Sequence, residues 1–220
     1  MPLLTQSWPT PTDRLVALRQ RVRAPFVLPR KGESLAAASL VATAHGVAYA
    51  DPAQDAAHRD IDGVLWAVCT GSATGGTDYA SELHPERQRI AMERLLCAGC
   101  KKPAARDERG MAWGLPLLDD AADTVWDRVQ TAIPPMCEVC AVLTPQVCPQ
   151  LREGHVELRV REAELVGVRG TLYPRSSQGG TVDPDALLLY DDPDLPFVIA
   201  RQSVRELRRI TVVARGVACS

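Results

Sequence analysis

Between His155 and Arg161 apolar and charged residues alternate without interruption. Val156, Leu158 and Val160 share one face, and Glu157, Arg159 and Arg161 share the other. That period of two predicts a half-buried strand. Leu165–Tyr173 and Ala186–Tyr190 predict two more strands, with a turn at Ser176–Gly180. Upstream, Gly46–Ala50 and Gly63–Cys69 are rich in Val, Tyr, Leu and Trp and predict two short strands. A polar, acidic stretch, Asp51–Asp62, separates them, and Thr70–Thr77 reads as a Gly/Ser/Thr loop. Met111–Leu117, which contains Trp113, is a further strand candidate.

Helical spacing occurs in four places. Leu15, Val16, Leu18 and Val22 give a stripe to a helix that starts at Thr12 or Asp13 and stops before Pro25. The Ala-rich run Leu35–Thr43 predicts a helix with Ser34 as its N-cap. Ser81 opens a third helix, with Pro85 and Glu86 in its first turn and Ile90, Met92, Leu95 and Leu96 on its apolar side. Leu195 to Arg209 predicts a fourth, with Val204, Leu207 and Ile210 facing inward. The chain divides into an arm and helix (1–30), a small α/β segment (31–96), a cysteine-rich segment (97–150) and a β-rich tail ending in a helix (151–220). There are no internal repeats.

The cysteines change this ordinary picture. Seven occur in 220 residues, and four of them form Cys97-Ala-Gly-Cys100 and Cys137-Glu-Val-Cys140. A CxxC turn presents two thiolates to one ion, and two such turns complete a tetrahedral four-cysteine shell for Zn2+. Gly99 allows the positive φ that such a turn often needs, and Lys101 and Lys102 sit where cations keep thiolates ionised. Met111–Leu117 fits a hairpin strand after the first knuckle. Pro134-Pro135 precede the second knuckle, and Ala141–Leu143 continue behind it as a helix that Pro145 ends or kinks. The long gap implies an insertion at Asp119–Gln130. The expected fold is α+β: a zinc-ribbon or treble-clef-like four-cysteine module, packed with a small N-terminal β-hairpin and a C-terminal β-sheet plus helix. A closed four-thiolate shell has no open position for water, which points to a structural metal. Cys148, eight residues after Cys140, is either a substitute ligand or a buried apolar residue, and Cys69 and Cys219 are left over.

Two zinc enzymes are the alternatives. HNH nucleases need a histidine near the knuckles and usually an asparagine. Residues 101–136 hold no histidine and the chain holds no asparagine. Deaminases use H-x-E followed by P-C-x-x-C. His84-Pro85-Glu86 and Pro135-Met136-Cys137-Glu138-Val139-Cys140 approximate that pattern, with His84, Cys137 and Cys140 as ligands and Glu86 as proton shuttle. One extra residue separates proline from cysteine, and Cys97 and Cys100 stay unexplained. Of the other histidines, His45 reads as a packed core residue, His58 as part of a solvated loop, and His155 lies on a strand.

Charge bears on partners. Net charge is -2 and 22 of the 25 basic residues are arginine, a bias that GC-rich coding explains better than phosphate recognition does. Four thiolates and one zinc ion would carry the sum to about -4. Nucleic-acid binding would therefore need a local face. Arg87, Arg89, Lys101 and Lys102 offer one, and Arg201, Arg205 and Arg208, spaced i, i+4, i+7 on the last predicted helix, offer another beside Arg209. A solvated face paired with Glu206, Asp191, Asp192 and Asp194 is the plainer account of the second set. No apolar run approaches the roughly 20 residues of a membrane span. The N-terminus lacks the basic and apolar regions of a signal peptide, so a cytoplasmic protein is expected.

The run from His84 to Cys100, then Pro134–Ala141 and Cys148-Pro149, with Gly63-Val64-Leu65-Trp66 upstream, resembles a family of uncharacterised proteins from Streptomyces and related actinomycetes. The resemblance spans about residues 45–210. It implies a bacterial cytosolic protein and brings no activity with it.

Overall fold

A computed structural model of the chain describes residues 25–117, 126–175 and 180–216. The predicted first helix, the start of the expected insertion, most of the Ser176–Gly180 turn and Cys219 lie outside these residues. The fold is α+β and mostly sheet. Its strands are β1 (Glu33–Leu35), β2 (Leu40–Thr43), β3 (Gly46–Tyr49), β4 (Leu65–Trp66), β5 (Cys69–Gly71), β6 (Arg106–Asp107), β7 (Gly110–Pro116), β8 (Val129–Thr131), β9 (His155–Leu172), β10 (Asp183–Leu189) and β11 (Val198–Gly216). Its α-helices are α1 (Pro52–Ala57), α2 (Pro85–Glu93), α3 (Glu138–Val147) and α4 (Pro149–Glu153).

Two long antiparallel strands carry the molecule. β9 merges the two strands predicted at His155–Arg161 and Leu165–Tyr173, and it pairs with β11 from Val198↔Leu172 to Gly216↔His155. Around this pair the sheet runs β4-β11-β9-β7-β6, with β10 on β9 and β8 on β11. The expected insertion thus ends in a strand of the main sheet. Val156, Leu158, Val160 and Leu207 pack with Trp113 and Trp126 in one core cluster, and Val168, Val198 and Ala200 with Trp66 and Leu188 in another.

β11 replaces the predicted final helix; only Leu195–Phe197 turns, as a single 3-10 turn. Its buried apolar positions are Val198, Ile199, Ala200, Val204 and Leu207, and the steps of four and three between the last three imitate a helical stripe. Bulges cause this. Arg201 is an extra residue between the pairs Ala200↔Gly170 and Gln202↔Arg169, and the register shifts again between Val204 and Arg205. Each bulge adds a residue to one strand and resets the alternation. The β-branched run Thr211-Val212-Val213 then favours the extended state.

Residues 35–43 are also not helical. Leu35 ends β1, and Leu40–Thr43 pairs with Gly46–Tyr49 to form the N-terminal hairpin. The second predicted strand, Gly63–Cys69, divides: β4 joins β11 in parallel and β5 pairs with β1. The acidic stretch Asp51–Asp62 contains α1, whose N-cap Asp51 accepts from the Ala53 N–H at 2.9 Å.

α2 is stitched to β11 by two buried polar side chains. β4 covers β11 at Ile199–Ala200 and β8 covers it at Arg205–Leu207, which leaves Ser203 between them. The Gln88 amide takes that place. Its Nε2 donates to the Ser203 and Ala132 carbonyls at 2.9 and 2.7 Å, and its Oε1 accepts from the Ser203 N–H at 2.9 Å. Arg205 Nε donates to the Met92 carbonyl at 2.9 Å, and its Nη atoms reach the Glu93 and Ala163 carbonyls. It therefore adds side-chain donors to the carbonyls at the end of α2.

Candidate metal centre

The four CxxC sulfurs meet. The Sγ atoms of Cys97, Cys100, Cys137 and Cys140 all lie within 4.8 Å of one another. Cys97 and Cys140 are buried, Cys100 and Cys137 half-buried. Met136 and Leu151 are buried with them. Four thiolates at about 2.3 Å from a tetrahedral zinc would stand about 3.8 Å apart. Cys100 and Cys137 are 3.6 Å apart. The donor set and its spacing can hold a metal ion.

Local backbone chemistry builds the pair of knuckles. The Cys97 N–H donates to the Lys102 carbonyl at 2.7 Å and the Lys101 N–H to the Cys97 carbonyl at 3.0 Å. The positive φ of this turn falls on Lys101, at 62°, and not on Gly99. Gly99 is needed for space instead: a Cβ there would stand 2.7 Å from the Cys140 sulfur. Ala98 N–H bonds the Pro135 carbonyl, joining the knuckles, and Met136 N–H bonds the Ala112 carbonyl, tying the second to β7; both are 2.9 Å. The β6–β7 hairpin follows the first knuckle. Cys137 is the N-cap of α3 and Cys140 lies in its first turn, where the positive end of the helix favours thiolates. Pro145 sits inside α3, which continues two residues beyond it.

The thiols do not titrate independently. The Cys97 thiol is brought down to about 5, first by the Cys140 S–H, then by the N–H groups of Cys137, Cys100 and Gly99, against the effect of burial. Cys140 is pushed up, chiefly because it is the group donating to Cys97, and further by burial. Burial pushes Cys100 up to about 11. Four thiolates cannot crowd together without a compensating charge, and a divalent cation supplies it.

The other candidates fall elsewhere. Cys148 joins α3 to α4 and packs half-buried beside the cluster, outside its four sulfurs. His84 is also outside: it is the N-cap of α2, its Nδ1 accepting from the Arg87 N–H at 3.5 Å. Glu86 is exposed in the first turn of α2. His45 is exposed in the β2–β3 turn and not packed in the core. His58 caps the end of α1, half-buried, edge-on to Tyr49, and so is not a residue of a solvated loop. His155 Nδ1 lies 3.1 Å from the Leu151 carbonyl.

The arginine stripe expected on a final helix has no helix to sit on. Arg205 is buried at the end of α2. Arg201 pairs with Glu82 at 2.8 Å and Arg208 with Glu206 and Glu164 at 2.6 and 2.9 Å. Arg209 pairs with Glu162 at 3.0 Å. Arg87 pairs with Glu33 and donates to the Leu28 carbonyl. Arg89 stacks on Trp66, Lys101 lies over Phe26, and Lys102 is exposed. Sequence spacing identified the sulfurs. The steric demand on Gly99 and the tie from Met136 to β7 needed the fold, because both depend on residues distant along the chain.

Comparison with known protein families, with curated proteins and with solved structures returns no match to any of them. No helix among the described residues is long and apolar enough to cross a membrane.

Proposed function

We propose that the chain is a non-enzymatic zinc protein, in which a structural four-cysteine site of treble-clef type fixes a module for binding another protein. The convergence of four cysteine sulfurs from two CxxC turns carries this reading. The order of parts supports the treble-clef assignment: a knuckle, a hairpin, then a helix whose first turn holds the second ligand pair. Four soft thiolates suit Zn2+, with iron the other common occupant of an all-sulfur site. With all four positions filled by the chain, no place is left for a metal-bound water, which supports a folding role over a catalytic one.

The protein-binding role rests on α3. Val139 and Val142, i and i+3 on the helix that begins at the metal site, are 41% and 64% exposed. Nucleic acid is the weaker reading, because five of the seven basic residues proposed for it (Arg87, Arg89, Arg201, Arg205 and Arg208) are ion-paired or buried. The arrangement fits a cytoplasmic, bacterial member of the actinomycete group that the sequence resembles.

Metal analysis of protein purified under reducing conditions without chelator should give one zinc per chain. Iron would show as a coloured protein, and absence of metal would overturn the reading. Cys97→Ser and Cys137→Ser should each abolish stoichiometric zinc and lower Tm sharply, since binding free energy is folding free energy in such sites. Retention on heparin that survives at low salt only and falls with Lys101→Ala/Lys102→Ala would move the assignment to nucleic acid.

A further inference from the structure

α1, the β4–β5 connection and the outer side of α2 enclose a second feature, unrelated to the metal. It is a cavity of about 240 Å3 lined by His58, Trp66, Cys69, Glu86 and Arg89, with small apolar side chains completing the wall. We propose that this cavity binds a free α-amino acid, with its carboxylate on Arg89 and its ammonium on Glu86.

Arg89 and Glu86 bring opposite charges to one cavity, and among the described residues neither makes a side-chain hydrogen bond to an acidic or basic partner. The Arg89 Cζ lies over the Trp66 ring, 4.8 Å from its centroid, a cation–π contact that holds the guanidinium beside the cavity. Its Nε is buried and has no hydrogen-bond partner. Glu93 pairs with it as an i,i+4 ion pair at 3.7 Å, beyond hydrogen-bond reach, so the fork keeps its donors for a second carboxylate. A planar fork held in this way is suited to a carboxylate. Glu86, three residues earlier and therefore on the same side of the helix, makes no hydrogen bond and no ion pair among the described residues. The two side chains line one cavity without pairing with each other.

That pairing of opposite charges selects the ligand. A simple anion such as phosphate would meet Glu86, and a simple cation would meet Arg89. A zwitterion satisfies both. The volume suits a ligand of about eight non-hydrogen atoms, counting roughly 30 Å3 for each water it displaces. Trp66 supplies an apolar wall for a side chain, and the His58 imidazole adds a polar group. Burial pushes the Cys69 thiol up, so it lines the cavity as a neutral group.

The test uses the zinc-loaded full chain and the twenty L-amino acids as probes, by calorimetry with thermal shift alongside. At least one should bind saturably and raise Tm. Its decarboxylated amine and its deaminated acid should not. E86Q, at an exposed position, should weaken binding at least about tenfold, a loss of about 1.4 kcal/mol, with Tm of the free protein unchanged. R89M should do the same, and E86Q decides the matter if R89M folds poorly. Absence of binding by all twenty, equal binding by a singly charged analogue, or unchanged affinity in E86Q would each overturn the assignment. Zinc content is independent of these results, so the metal reading stands or falls separately.

Discussion

Gly99→Ala tests the metal centre through its tightest contact. The added Cβ would stand 2.7 Å from the Cys140 sulfur and 3.8 Å from the Cys97 sulfur. Nonbonded heavy atoms rest at about 3.5–4.0 Å, so the contact to Cys140 is short by about 1 Å. Neither partner yields easily. The alanine is held through the bonds from Ala98 to Pro135 and from Phe26 to the residue 99 carbonyl, and Cys140 is fixed in the first turn of α3. A metal shell tolerates about 0.2 Å of displacement per ligand, several times less than the shift required. Overpacking of this kind costs about 1–3 kcal/mol, which weakens zinc affinity by about fivefold to hundredfold. Competition with a chromophoric chelator measures it, and Tm of the zinc form should fall in parallel. Gly76→Ala is the control: its Cβ would meet nothing within 4 Å, and its φ is not positive. Affinity and Tm of Gly99→Ala indistinguishable from those of Gly76→Ala would refute the packing of the first knuckle against Cys140.

Three further outcomes follow from the polar side chains around α2. Gln88→Leu should destabilise the fold by about 2–4 kcal/mol in chemical denaturation, because it strands the buried Ser203 N–H and the Ser203 and Ala132 carbonyls; a loss below about 0.5 kcal/mol, the range of ordinary surface changes, would contradict that role. Arg205→Met should lower Tm and raise amide exchange in the last turn of α2, since the Met92 and Glu93 carbonyls lose the guanidinium that ties them to β11; unchanged exchange there would count against the stitch. His84 should titrate by NMR below the ordinary value of about 6.5, because burial, then the Arg87 charge, disfavour its protonated form. Its folded pKa is depressed, so its contribution to stability is present above about pH 6.5 and is lost as pH falls towards the folded value; a midpoint at or above 6.5 would refute this.

The four-cysteine cluster was legible in the sequence because its signal is local. Two CxxC turns announce their own geometry, and neighbouring residues confirm it: Met111–Leu117 forms β7, and the helix behind Cys137 forms α3. The C-terminal strand was not legible, because its pattern is set by its partner. Val204, Leu207 and Ile210 read as a helical stripe only when the chain is taken alone. Paired with β9, the same spacing is a strand with a residue inserted at Arg201 and a register shift after Val204. The misread element then carried its arginines with it, since i, i+4, i+7 describes one face of a helix and no face of a bulged strand. Likewise Arg205 looks like a surface cation until α2 is placed against β11, where it becomes the cap of a helix more than 100 residues earlier. The same long-range dependence indicates what the metal adds. Cys97 and Cys100 follow α2, which is fastened to β11 through Gln88 and Arg205, and the bond from Met136 to Ala112 fastens the second knuckle to β7. A metal ion joining the knuckles would therefore link attachments on opposite sides of β9, which lies between β11 and β7 in the sheet. Loss of the ion should loosen α2 and the β6–β7 hairpin together, a coupling that hydrogen exchange with and without chelator would detect as simultaneous loss of protection in both.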